Sequence, residues 1–250
     1  MERKCLDCFL ASPEPSGKSS TYFDAYDNLL AKYQDRKITF VEIGVLNGGS
    51  LFMWRNFFGP EARIIGIDLN PAAKQWESND FEIFIGSQSN PGFWSNFFSK
   101  VGDIDVLLDD GGHTFEQQII TSECVVDHIK DDGMLIVEDT HTSYLTGFGD
   151  NKASFINYAK LQVDRINSRY WRFEQAQPQK DRRIWSIEFF ESIVAFKVNR
   201  KFSEVKSDKL WNKRPNVAAE DFRHRDNASE ESFNKKNDIL KSAFTFYPTK

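Results

Sequence analysis

From Ile38 onward, short β-branched runs alternate with longer amphipathic stretches, and this alternation constrains the chain more than any other feature. A strand that runs parallel to its predecessor needs a crossover of a dozen or more residues, usually a helix. Repeated strand–helix units therefore build a parallel sheet covered by helices on both faces. The predicted strands are Ile38–Ile43, Arg63–Asp68, Phe81–Ile85, Ile104–Leu108 and Met134–Val137. Ser50–Phe58 reads as a helix stopped by Gly59-Pro60. After the fourth strand, Thr114-x-x-Gln117 matches a capping box, and Phe115, Ile119, Val126 and Ile129 share one face of a helix that Asp132-Gly133 ends. Residues 151–170 read as helical. The apolar run Trp185–Val198 breaks at Glu191-Ser192, which predicts two antiparallel strands closing the sheet edge. The expected fold is α/β, a doubly wound, mostly parallel sheet of seven strands.

At 250 residues and 40% hydrophobic content the chain can bury one sizeable core. The expected division is an N-terminal helical or lid segment over 1–37, the α/β domain over 38–200, and a polar extension over 201–250, rich in Lys, Asp, Glu, Asn and Ser. A net charge of -5 argues against a nucleic-acid partner, because affinity for phosphate backbones needs a basic surface. A small molecule is the expected partner. No apolar run approaches the roughly 20 residues of a membrane span, and the N-terminus lacks the apolar stretch of a signal peptide, so a cytoplasmic protein without a membrane partner is expected. Cys5, Cys8 and Cys124 make a poor disulfide framework and read as reduced thiols. Cys5-x-x-Cys8 is half of a zinc knuckle, but no second Cys/His pair completes it.

Ligands of a doubly wound sheet bind outside the carboxyl ends of its strands. The first strand ends in Glu42-Ile-Gly44-Val-Leu-Asn-Gly48-Gly49-Ser50, where glycines permit close backbone approach and a helix N-terminus offers free N–H groups. Gly44 and Gly48 stand four apart, unlike the dinucleotide pattern G-x-G-x-x-G. Asp68, ending the second strand, can accept both hydroxyl hydrogens of a cofactor ribose. Ser87 and Gln88 follow the third strand, either to reach an adenine edge or simply to form a turn. Asp109-Asp110-Gly-Gly-His113 and Glu138-Asp139-Thr-His141 then place up to four acids and two imidazoles on one rim. Such crowding raises carboxylate pKa values unless a cation relieves it, and a hard oxygen-ligand ion such as Mg²⁺ suits the donors. The alternative is solvated loop acids beside a helix N-cap.

Together these segments resemble the class I S-adenosylmethionine-dependent methyltransferases, and more narrowly the metal-dependent sugar O-methyltransferases of macrolide pathways and the cephalosporin-hydroxylase-like group. The resemblance is carried by Val41–Leu51, Ile64–Asp68, Leu107–His113 and Gly133–Thr140, with a weaker echo over Glu188–Lys197. It implies a Rossmann-like methyltransferase fold with an antiparallel strand at the edge, and S-adenosylmethionine and Mg²⁺ as cofactors. By that resemblance Glu42, Gly44, Gly48 and Ser50 are cofactor contacts and Asp68 the ribose ligand; Ser87, Gln88 and Asp109 are expected on the cofactor side from their positions at the strand ends. Asp110, Glu138 and Asp139 are the implied metal ligands, and His113 the implied base, with His141 as a substitute or an orienting group. The macrolide enzymes often carry an additional N-terminal domain that this chain is not expected to contain, which leaves oligomeric assembly and substrate open.

Methyl transfer from a sulfonium is an in-line displacement, so the acceptor oxygen must be aligned and deprotonated. The implied substrate is a hydroxylated, sugar-like small molecule. Rival readings are another acceptor on the same fold, such as a polyketide, a phenolic or a surface-polysaccharide sugar; a nicotinamide oxidoreductase, disfavoured by the glycine spacing; and a non-catalytic binding protein, disfavoured by the acid and histidine cluster. Phe93-Trp94, Phe97-Phe98 and Tyr170-Trp171 could stack on sugar rings, although helical core packing explains them more simply.

Overall fold

The structure is a computed structural model describing residues 3–170, 182–205, 208 and 210–213. The chain divides into two units, 1–207 and 208–250, and every element described below lies in the first. The strands are β1 (Thr39–Ile43), β2 (Arg63–Asp68), β3 (Glu82–Ile85), β4 (Ile104–Asp109), β5 (Ile129–Val137), β6 (Ile184–Phe190) and β7 (Ile193–Val198). They form one sheet in the order β3-β2-β1-β4-β5-β7-β6. β1 to β5 pair in parallel, while β7 lies antiparallel between β5 and the edge strand β6. The expected seven-stranded, doubly wound α/β sheet is what forms, and its strand order reverses between β1 and β4.

Alternation along the strands feeds two cores. Val106 and Leu108 of β4 join Phe40 and Met134 on one face, and Leu107 joins Val41 and Leu135 on the other, as the two-residue period of a strand requires. Helices α1 (Cys5–Leu10), α2 (Tyr22–Leu30) and α3 (Gly49–Phe58) cover the first face through Cys5, Tyr26, Leu30, Trp54 and Phe58. Helices α4 (Pro91–Val101), α5 (Phe115–Val125) and α6 (Phe155–Asn167) cover the second through Trp94, Phe97, Phe98, Val125 and Phe155. A short α7 (Arg200–Glu204) follows β7. The aromatic doublets of α4 are therefore core, with Trp94 and Phe98 stacked at 5.9 Å. Tyr170 is exposed, and Trp171 and the greater part of 201–250 lie outside the described residues.

Local chemistry starts and stops these helices. Asn90 accepts hydrogen bonds from the Gly92 and Phe93 amides, with Pro91 at the first helical position of α4. The capping box predicted at Thr114 and Gln117 is present at α5. One boundary differs from expectation. α5 ends at Val125 and β5 already begins at Ile129, so Asp132-Gly133 interrupts a strand instead of ending a helix. The β4–β5 register shifts between Ile104 and Val106, Asp132 adopts φ +69°, and a Cβ on Gly133 would fall 2.3 Å from the Asp105 carbonyl oxygen. The pair is a bulge. Cys5 and Cys8 are buried on α1, and burial pushes the Cys5 thiol well above its ordinary pKa. Among the described residues no helix is long and apolar enough to cross a membrane.

Candidate active site

The reversal of strand order opens a crevice between the ends of β1 and β4, and its walls are backbone. Gly44 stands at φ +93°, and a Cβ there would fall 2.1 Å from the Asp110 carbonyl oxygen, so only glycine lets the two loops meet. Asp68 pins the turn: its Oδ2 accepts from the Val45 amide at 2.9 Å and the Leu46 amide at 3.0 Å. The cavity so enclosed measures about 420 Å³, and Gly44, Ser50, Asp68, Gln88, Asp110 and His113 all line it.

Four residues expected on the cofactor side, Glu42, Gly48, Ser87 and Asp109, do not line this cavity. Glu42 is buried beneath the cavity, accepting from Ser50 Oγ at 2.6 Å and Trp54 Nε1 at 3.0 Å, and burial raises its carboxyl pKa. It ties β1 to the first turns of α3. Asp109 is buried too, and burial pushes its carboxyl up to about 6 despite hydrogen bonds from the Gln88 amide and the Gly111 N–H. Gln88 Nε2 reaches Asp109 at 2.9 Å while its Oε1 accepts from the Gly112 amide at 3.0 Å, so this side chain braces the loop after β4. Ser87 Oγ accepts from the Ser89 amide at 3.3 Å as a turn former. Gly48 caps α3 at φ +79° with the Trp76 ring packed against it.

At the cavity mouth Asp110, His113 and Asp139 each present one ligand atom, all within 4.8 Å of one another, as a group that could hold a metal ion. His113 Nε2 lies 3.3 Å from Asp139 Oδ2 and 3.8 Å from Asp110 Oδ1. His113 at φ +58° and Asp139 at φ +53° both occupy the left-handed region, a strained backbone that concentrates at functional sites. His113 Nδ1 is buried without a hydrogen-bond partner among the described residues.

Glu138, expected as a metal ligand, is outside this group but lines a smaller cavity of about 270 Å³ together with Asp110 and Asp139. It is buried and bonds the Tyr26 hydroxyl and the Lys18 ammonium, the latter at 2.9 Å. Burial raises its carboxyl pKa against the pull of Lys18. A lysine thus fills the inner half of the rim, where charge crowding alone suggested a metal. Lys18 had no signal in the sequence: it lies 92 and 120 residues from Asp110 and Glu138, in a Gly-Ser stretch of no periodicity. His141 lies outside this group but beside it, with its side chain 54% exposed and Nδ1 3.9 Å from Asp139 Oδ1 and 2.6 Å from Ser192 Oγ. It lines a second cavity of about 700 Å³ with Tyr144, Ile156, Phe189 and Phe190.

A seven-stranded sheet with this order, a glycine turn after its first strand and an acid ending its second has the fold of class I S-adenosylmethionine-dependent methyltransferases. Its nearer likenesses are sugar O-methyltransferases. The chain is 27% identical over 187 residues to 8-demethyl-8-alpha-L-rhamnosyl tetracenomycin-C 2'-O-methyltransferase of Streptomyces olivaceus, covering 70% of this chain and 49% of that protein. It is 28% identical over 160 residues to mycinamicin VI 2''-O-methyltransferase of Micromonospora griseorubida, covering 57% and 40% respectively. The chain thus spans about half, or less, of the length of these curated relatives. Among solved structures, the MycE methyltransferase of the mycinamycin pathway, in complex with Mg and SAH, superposes with a TM-score of 0.74 at 21% identity, covering 86% of this chain and 59% of that one. No protein-family model matches the chain.

Proposed function

We propose that this protein is an S-adenosylmethionine-dependent O-methyltransferase that uses a divalent cation, magnesium, to methylate a hydroxyl of a sugar or glycosylated metabolite. The observation that carries the reading is the Asp110, His113 and Asp139 group, two of whose members line the cavity at the point of strand reversal. Relatives named for 2'- and 2''-O-methylation support the acceptor class. Three free thiols fit a reducing, cytoplasmic setting.

In this reading residues 38–200 bind the cofactor, with the glycine turn against the methionine end and Asp68 at the ribose, while 1–37 covers the cavity. Asp110 and Asp139 hold the cation. When bound, S-adenosylmethionine supplies the methyl group, and the cation polarises the acceptor hydroxyl. His113 takes the hydroxyl proton through Nε2, which faces the Asp110 and Asp139 carboxylates that would hold the cation, while Nδ1 is turned inward and buried. The same geometry gives His113 a second possible role as third metal ligand, and metal affinity separates the two.

The deciding experiment is calorimetric titration with S-adenosylmethionine and with NAD, each with and without Mg²⁺. Binding of the first alone is expected, and binding of NAD alone would return the protein to the oxidoreductases. Asp68→Ala should weaken cofactor binding by about tenfold or more, since hydrogen bonds to a charged group contribute roughly 1.5–3 kcal/mol. Unchanged affinity in the same titration would remove Asp68 from the ribose.

A further inference from the structure

The segment before α2 carries a cation that the reading above leaves without a task. The Lys18 side chain is 2% exposed, and its Nζ lies 2.6 Å from Asp110 Oδ2, 2.9 Å from Glu138 Oε2 and 3.7 Å from Glu42 Oε1. Burial opposes its charge, but the three carboxylates outweigh burial and hold its pKa above the ordinary value. The ammonium therefore balances the acids that bound the floor of the cavity and the inner rim.

The same segment crosses the cavity. Pro15, Ser16 and Gly17 form part of its wall. Ser12 Oγ donates to the Gly49 carbonyl at 2.8 Å. A Cβ on Gly49 would fall 2.4 Å from the Glu14 carbonyl oxygen and 2.6 Å from that of Pro15, so this strap lies directly on the N-terminus of α3. Beyond Lys18 the hydroxyls of Tyr22 and Tyr26 bond Asp139 and Glu138. Past Ser12, the Lys18 ammonium and the Tyr22 and Tyr26 hydroxyls thus reach the acid rim, with Tyr22 bonding Ser192 as well.

We propose that Lys18 is a positioning residue, a tethered cation that neutralises Glu42, Asp110 and Glu138 and by doing so clamps the 12–20 strap over the cofactor cavity. The proposal rests on the S-adenosylmethionine reading of that cavity. Lys18 and a bound metal share Asp110 without excluding one another, because Oδ2 turns to the ammonium while Oδ1 faces His113. Without the ammonium, three carboxylates lose their counter-charge, so the rim attracts divalent cations more strongly. The strap also loses its deepest anchor, so cofactor is held less firmly.

The test titrates the full chain with S-adenosylmethionine and, separately, with Mn²⁺. In Lys18→Met, cofactor Kd is expected to rise about tenfold as the cavity loses its preorganised wall, and Mn²⁺ Kd to fall about tenfold as a neighbouring positive charge disappears. A lysine that merely stabilised the fold would lower Tm and move neither affinity. Gly49→Ala displaces only residues 14 and 15 of the strap while Lys18 keeps its carboxylates, so cofactor Kd should rise about fivefold while Mn²⁺ Kd stays within about twofold. It carries the test if Lys18→Met fails to fold. Cofactor affinity unchanged in either variant, or Mn²⁺ affinity unchanged or weaker in Lys18→Met, overturns the proposal. Wild-type protein that binds no S-adenosylmethionine would instead sink the methyltransferase reading, and the Mn²⁺ titration would still decide the charge role of Lys18.

Discussion

Replacing Asp139 by asparagine is expected to lower cation-dependent turnover by about 10³-fold, since a metal contributes several kcal/mol of charge stabilisation and each decade of rate corresponds to about 1.4 kcal/mol. Asparagine keeps the volume and tolerates the left-handed backbone at φ +53°. Its amide oxygen can still accept from Tyr22, so the rim should keep its shape. What is lost is one of the two carboxylate charges in the Asp110, His113 and Asp139 group. Asp139 does not line the cofactor cavity, so S-adenosylmethionine affinity should change by no more than about threefold. Initial rates against Mg²⁺ concentration, beside a cofactor titration, measure both. Activity that survives in the mutant, or in wild type treated with a chelator, would end the metal assignment.

His113→Ala should lower kcat by about 10²–10⁴-fold, the usual contribution of general-base catalysis. Cofactor affinity should stay near wild type, because the alanine removes only one of many side chains in the cavity wall. His141→Ala should cost far less, since its ring is bonded to Ser192 and stands at the second cavity. Mn²⁺ affinity separates the two roles open to His113. A base leaves it unchanged, whereas a third ligand costs about tenfold or more when removed. A near wild-type rate in His113→Ala, with the large loss appearing in His141→Ala instead, would transfer the base role.

The parts of this site that were legible in the sequence are those written by backbone rules. Gly44 could be read because a turn that brings β1 against the loop after β4 leaves no room for a side chain. Asp68, Asp110, His113 and Asp139 could be read because each stands at or just after a strand end, and strand ends of a parallel sheet converge on one rim. Asp132-Gly133 could not be read so, because the same dipeptide ends a helix or forms a bulge, and only the pairing of β4 with β5 decides between them.

Glu42, Asp109 and Glu138 show the limit of such reading. As residue types at strand ends they are indistinguishable from ligands, yet all three are buried and spent on internal partners: Ser50 and Trp54, Gln88, and Tyr26 with Lys18. Local pattern determined by itself that the chain would wind a parallel sheet, where the order would reverse, and that acids and imidazoles would gather at that end. Which of those acids face the cavity and which are neutralised from within was decided only by tertiary structure. The deciding group, Lys18, reaches Glu138 across 120 residues of chain, and no periodicity or motif encodes a contact of that separation.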